Sequence, residues 1–222
     1  MGPAGRRARG ARLPAHPDPP RPPARARRRR ARPVRRAVVS ADPGVELVPV
    51  DVSADADALR AFLTTNPFPF HVRSAPTVAD VDRRIADGDF DGPEHEALWV
   101  EVAGSGRVGL VVLDDLEDPG VLFDLRLAEA WRGRGLGVPV VRALTSHVFR
   151  SYPHVTRFEA QTRDDNRAMR RVLVRAGFVK EAHYRDGWPV EGDEPRASVG
   201  YAILRRDHEA GTTTPVPTDD DA

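Results

Sequence analysis

Ala130-Trp131-Arg132-Gly133-Arg134-Gly135-Leu136-Gly137-Val138-Pro139 lies between an apolar segment of strand character, Val121 to Leu127, and an amphipathic one, Leu136 to Phe149. Three glycines at alternate positions let the backbone turn tightly and approach a ligand closely. The amides at the start of the following helix point outward unpaired and carry the positive end of its dipole. Arg132 and Arg134 add full positive charge, and Pro139 falls in the first helical turn, where its missing N–H costs nothing. The combination suits a pyrophosphate; the alternative is glycine needed only for packing. A P-loop would end in Gly-Lys-Ser/Thr, whereas Gly137 is followed by Val138. A dinucleotide fingerprint, Gly-x-Gly-x-x-Gly in the first βα unit, has neither this spacing nor this position.

Outward from the loop, hydrophobic periodicity predicts one α/β domain over residues 45–208. Val45 to Val50 reads as a strand, and Asp55 to Thr64 and the segment from Thr77 to Gly88 read as helices. Leu98 to Val102 and Val108 to Leu113 form a hairpin around Gly104-Ser105-Gly106, and Val121 to Leu127 is a further strand. After the helix Leu136 to Phe149 come the strand Phe158 to Thr162, the helix Asn166 to Ala176, and the strands Phe178 to Tyr184 and Ser198 to Leu204. The expected order is β-α-α-β-β-β-α-β-α-β-β, a mixed and mostly antiparallel central sheet of about seven strands with four helices.

The ends have another composition. Residues 1–36 hold thirteen of the 34 basic residues and one of the 33 acidic ones, a net +12 that leaves −11 on residues 37–222, although the whole chain of 222 residues is only +1. Prolines at 14, 17, 19, 20, 22 and 23 deny that segment a continuous helix, and its apolar side chains are too few to offset ordering entropy. Residues 1–40 are expected to form a disordered Arg/Pro-rich tail, and 211–222 a short disordered acidic one. The basic arm has no aromatic residue for base stacking, so any nucleic-acid binding through residues 1–36 would be electrostatic and nonspecific. The absence of cysteine excludes a disulfide scaffold, a Cys-ligated zinc and a cysteine nucleophile, and seven scattered histidines have no metal-ligand spacing. No apolar run approaches the ~20 residues needed to span a bilayer. A cytoplasmic protein without a membrane partner or a metal is expected, as monomer or homodimer.

Arg132-x-x-Gly135-x-Gly137, between the fourth strand and the third helix of this reading, resembles the acetyl-CoA pyrophosphate motif of the GNAT superfamily of N-acetyltransferases. Asn166 with Gly177-Phe178 is similar to that superfamily's Asn…Gly-Phe signature on the next helix. Gly200-Tyr201-Ala202-Ile203-Leu204 resembles the final strand of the branch containing the ribosomal-protein N-terminal acetyltransferases. The resemblance implies a GNAT fold over residues 45–208 and acetyl-CoA as acyl donor. It implies that Arg132, Gly133, Arg134, Gly135, Leu136 and Gly137 surround the pyrophosphate, that main-chain groups near Leu127 hold the pantetheine arm and polarise the thioester, and that Asn166 adds a polar contact. Many members place a tyrosine acid seven residues after the helix asparagine; here that residue is Leu173, as often in the ribosomal-protein branch.

Acetyl transfer to an amine requires a proton acceptor for the amine and a donor for the developing oxyanion. Asp124 and Glu159, on the central strands, are the candidate bases, and each is equally placed to pair with Arg126 or Arg157. Tyr184 is the substitute acid. Asn66-Pro67-Phe68-Pro69-Phe70-His71 and His183 to Trp188 are expected to line the acceptor cleft, which makes Phe68, Phe70, His71, His183 and Trp188 substrate-binding candidates; Phe68 and Phe70 read equally as core, and Trp188 reads as part of a polar Gly/Pro loop. The expected function is direct transfer of acetyl from acetyl-CoA to a primary amine, either a protein N-terminus or a small amine. A catalytically silent acyl-CoA sensor and a nucleic-acid-associated protein acting through its basic arm are the alternatives. The −11 of the globular part favours a cationic amine.

Overall fold

Side chains alternate across the central strands with both faces apolar, so the sheet must be covered on both sides. Leu98 and Val100 of one strand, with Val111 and Leu113 of the next, enter a core built with Val140, Val141, Leu144 and Val148. The intervening Ala97, Trp99, Leu110 and Val112 enter a second core, with Leu59, Leu63, Phe68 and Val81. The computed structural model describes residues 38–39 and 44–217. The expected basic tail over residues 1–40 falls outside them except at Val38–Val39, and residues 218–222 of the acidic one lie outside as well.

In chain order the elements are β1 (Val38–Val39), β2 (Val45–Pro49), α1 (Val52–Thr65), α2 (Val78–Asp87), β3 (Glu96–Val102), β4 (Gly106–Asp114), β5 (Gly120–Leu127), α3 (Gly137–Ser151), β6 (Arg157–Arg163), α4 (Arg167–Arg175), β7 (Val179–Trp188), β8 (Arg196–Leu204) and α5 (Arg205–Ala210), with a 3-10 turn at Glu129–Trp131. The strands form one sheet in the order β1-β2-β3-β4-β5-β6-β8-β7. Every neighbouring pair is antiparallel except β5 and β6. This is the mixed, mostly antiparallel sheet expected, with a two-residue β1 and a six-residue α5 added. β7 is longer than its apolar residues suggest: it runs on to Trp188, which pairs with Arg196, so this tryptophan closes a strand rather than sitting in a loop. Past α5, Thr212 and Thr214 hydrogen-bond back to Asp207. No described helix is long and apolar enough to cross a membrane.

Two local features position the site. β5 and β6 pair only over Gly120–Leu122 and Arg157–Glu159; beyond these residues the two parallel strands part. The helix ends also differ. Asp51 caps α1, Thr77 caps α2 in a reciprocal box with Asp80, and Asn166 caps α4 by accepting from Met169 N. α3 has no side-chain cap, so its first amides are not satisfied that way.

Candidate active site

The loop ahead of α3 has left-handed backbone at Gly133 (φ 73°) and Gly135 (φ 83°), where a Cβ would meet nothing within 4 Å. Glycine is required at both for conformation, and the space around them is open. Gly137 is different: a Cβ there would lie 2.6 Å from Val172 Cγ2, so this glycine lets α3 pack against α4. Among the described residues, the amides of Gly133, Arg134, Gly135 and Leu136 have no hydrogen-bond partner. With the uncapped start of α3 they form a contiguous anion-binding surface. On α4, Arg167, Arg171 and Arg175 have no carboxylate partner among the described residues and border a second cavity of about 500 Å³.

Arg132 turns inward. Its Nε donates to Leu127 O at 3.0 Å, another guanidinium nitrogen donates to Pro67 O, and the group stacks over Phe68. It therefore ties the loop to the end of β5 and to the 66–71 segment, whereas Arg134 lies over Trp131. Asn166 has both ends of its amide engaged, by Met169 N and by Thr162 Oγ1, and still borders the main cavity.

Ala128 N donates to Val108 O, so in this antiparallel ladder Leu110–Arg126 and Val112–Asp124 also exchange bonds with β4. The main-chain groups of Leu125 and Leu127 consequently face the gap left by β6. The same register sets Asp124 and Arg126 beside Val112 and Leu110, on the sheet face covered by α1 and α2. There they meet the 66–71 segment, which is pinned by Glu129 N to Asn66 Oδ1, by Arg132 to Pro67 O and by Arg163 to Pro69 O.

The main cavity, a cleft open to solvent on one side, measures about 460 Å³. His71 Nε2 and Asp124 Oδ1 are 2.8 Å apart in its wall, and Arg126 Nε donates to Asp124 Oδ2 at 2.9 Å. Burial pushes the Asp124 carboxyl up, but Arg126 and His71 outweigh it and hold the group well below the usual carboxylate range. An ionised carboxylate only accepts, so the proton of neutral His71 is on Nε2 and the lone pair on Nδ1. His71 Nδ1 is buried and has no partner among the described residues.

The other expected residues divide. Phe70 and Trp188 line this cavity, while Phe68 is core, 1% exposed, between Phe62, His71 and two arginines. Glu159 faces Leu122 at the last paired position and bonds Arg157 at 2.6 Å; Arg157 also binds Glu181. It is thus part of an ion-pair cluster and does not border the cavity. His183 and Tyr184 are exposed on β7 and do not border it either. Leu173, where a tyrosine acid would stand, is fully buried. Arg126 is a cavity residue beyond those expected; its i+2 spacing from Asp124 on a strand, which puts both on one face, is the signal in the sequence. No group of His, Asp and Glu among the described residues could hold a metal ion.

A family model described as the acetyltransferase (GNAT) domain matches residues 45–179, more than half of the chain. No curated protein sequence matches significantly. Among solved structures, spermidine N-acetyltransferase from Vibrio cholerae in complex with CoA and spermine superposes with a TM-score of 0.65 at 14% identity, over 75% of this chain and 98% of that one. Mycobacterium smegmatis RimJ in complex with CoA-disulfide gives 0.64 at 18% identity, over 77% and 87%. A GNAT-family acetyltransferase from Bacillus anthracis gives 0.63 at 16% identity, over 77% and 99%. At these identities the structures share the fold. With the parted β5 and β6, the free amides ahead of α3 and the matching family model, the chain belongs to the GNAT family of acetyltransferases, whose acyl donor is acetyl-CoA.

Proposed function

We propose that this protein moves an acetyl group from acetyl-CoA directly to a primary amine held in the cavity beside β5, with His71 as general base. The observation that supports it most is the placement of the His71–Asp124 pair in the cavity wall along the parted strands, which Leu125 also lines.

Acetyl-CoA supplies the acetyl group as a thioester, already activated toward an amine. The amides of residues 133–136 suit its pyrophosphate, and they are free for it. The amides of Leu125 and Leu127 that face the gap are preorganised donors for the developing oxyanion. Asp124, ionised, fixes the ring of His71 so that Nδ1 accepts the proton released as the amine nitrogen bonds the acetyl carbon; collapse of the oxyanion then breaks the carbon–sulfur bond, and CoA leaves as a thiolate that takes up a proton from His71 or water. Asp124 is thereby a positioning residue and a poor base itself. Glu159 and Tyr184 have no part in these steps.

The test is titration of acetyl-CoA into the full chain and into Gly135→Asp, where a side chain has room but brings negative charge among the free amides. Saturable binding by the native chain, weakened at least about 30-fold in the variant, is expected. Thiol release with an amine panel then measures transfer. A native chain that binds no acetyl-CoA sinks the proposal.

A further inference from the structure

Five buried side-chain polar atoms among the described residues lack a hydrogen-bond partner, and three of them, His71 Nδ1, Arg126 Nη1 and Trp188 Nε1, belong to residues around this one cavity. His71 Nδ1 carries a lone pair and is assigned to the amine. The other two are donors in every protonation state. Arg126 is nine-tenths buried, with a side-chain exposure of 10%, and its Nε alone is used by Asp124. Leaving an arginine nitrogen and an indole N–H buried and unpaired is costly, and both are compensated when a ligand brings oxygen acceptors to them.

The acidic side chains of the cavity offer no complementary place for a second cation. Both oxygens of Asp124 are engaged, by His71 and Arg126. Both oxygens of Asp80 are engaged too: one accepts from Thr77, and the other faces Arg73 and Arg83. Arg73, Arg83 and Arg84 also line the cavity. The overall charge of −11 on residues 37–222 argued for a cationic amine, but exposed charges beyond a Debye length of about 8 Å are screened, whereas the buried Arg126 guanidinium is screened much less.

We infer that the acceptor carries, besides its amine, an anionic oxygen group, carboxylate or phosphate, received by Arg126 and Trp188. This inference rests on the amine-acetylation reading above and narrows its substrate class: amino-acid-like or phosphate-bearing amines, rather than polyamines.

Four probe amines test it on the full chain at saturating acetyl-CoA: 4-aminobutanoate, its amide, 3-aminopropyl phosphate and spermidine. At least one anionic amine is expected to exceed both the amide and spermidine by about tenfold or more in kcat/KM, and the better of the two names the group. Arg126→Gln should bring that ratio to within about twofold, and Trp188→Phe, which keeps the ring and removes the N–H, should lower it less. Arg126→Lys keeps the charge and is used if the glutamine variant does not fold. A native enzyme that acetylates the amide or spermidine as well as the anionic amines overturns the inference and leaves acetyl transfer standing. If no amine is acetylated, binding of the same four probes is read from tryptophan fluorescence. Tighter binding of an anionic probe then supports the site while the transfer reading fails, and equal or absent binding overturns the site as well.

Discussion

Between Gly133 and Leu136 four consecutive residues present unpaired backbone amides, and two of them are glycines with left-handed φ. The proposed acceptor cavity instead draws on His71, Asp124, Arg126 and Trp188, spread over the 66–71 segment, β5 and the end of β7. The first region uses main-chain groups whose directions follow from local conformation. The second uses side chains whose meeting depends on sheet register and on three hydrogen bonds that pin the 66–71 segment. A short contiguous motif therefore announces the acyl donor, while the proposed acceptor site is encoded in pieces that the sheet assembles.

The largest effect that would sharpen this contrast is His71→Ala. kcat is expected to fall about 100-fold or more with the acetyl-CoA dissociation constant unchanged, measured by thiol release and by titration. Equal losses in rate and donor binding would mean that the two regions are not separable. The glycines supply a second test. Gly137→Val drives atoms into Val172 and should cost about 2 kcal/mol in a urea melt, whereas Gly133→Ala meets no atom and costs about 1 kcal/mol through φ alone. Similar costs at both positions would contradict the division between packing and conformation.

A third test concerns pH. The Asp124 carboxyl is depressed in the folded state, so its contribution to stability is present above the ordinary carboxylate pKa of about 4 and is lost as pH falls through the lower folded value. Asp124→Asn should cost about 1–2 kcal/mol at pH 7, a modest figure because the carboxylate is 25% exposed, and the gap from the native chain should narrow in acid melts below pH about 4. A gap that stays constant into acid would remove the carboxylate from this account.

Most of the fold was legible because its elements announce themselves locally. Alternating apolar residues give β3 and β4, the Thr77 and Asn166 caps start α2 and α4, and Gly88, with φ 82°, ends α2. Trp188 was not, since the strand that carries it past Tyr184 has irregular register and polar residues, and its pairing with Arg196 is non-local. His183 and Tyr184, expected at the cleft with the last hairpin, are exposed on β7 and do not border the cavity.

The two candidate carboxylates mark the boundary most sharply. Asp124-x-Arg126 and Arg157-x-Glu159 are near mirror images along the chain, each an acid with an arginine two residues away on a central strand. The sequence by itself determined the loop, most of the element order and that each acid had an arginine two residues away as a possible partner. Only the tertiary structure chose between them. Glu159 lies opposite Leu122, where β5 and β6 are still hydrogen-bonded and Arg157 closes over it. Asp124 lies two residues past that last contact, where the strands have parted and a histidine 53 residues away reaches it. Strand pairing is a long-range choice of register, and a shift of one residue turns a side chain to the other face, so no local pattern could have decided which acid faces the cavity.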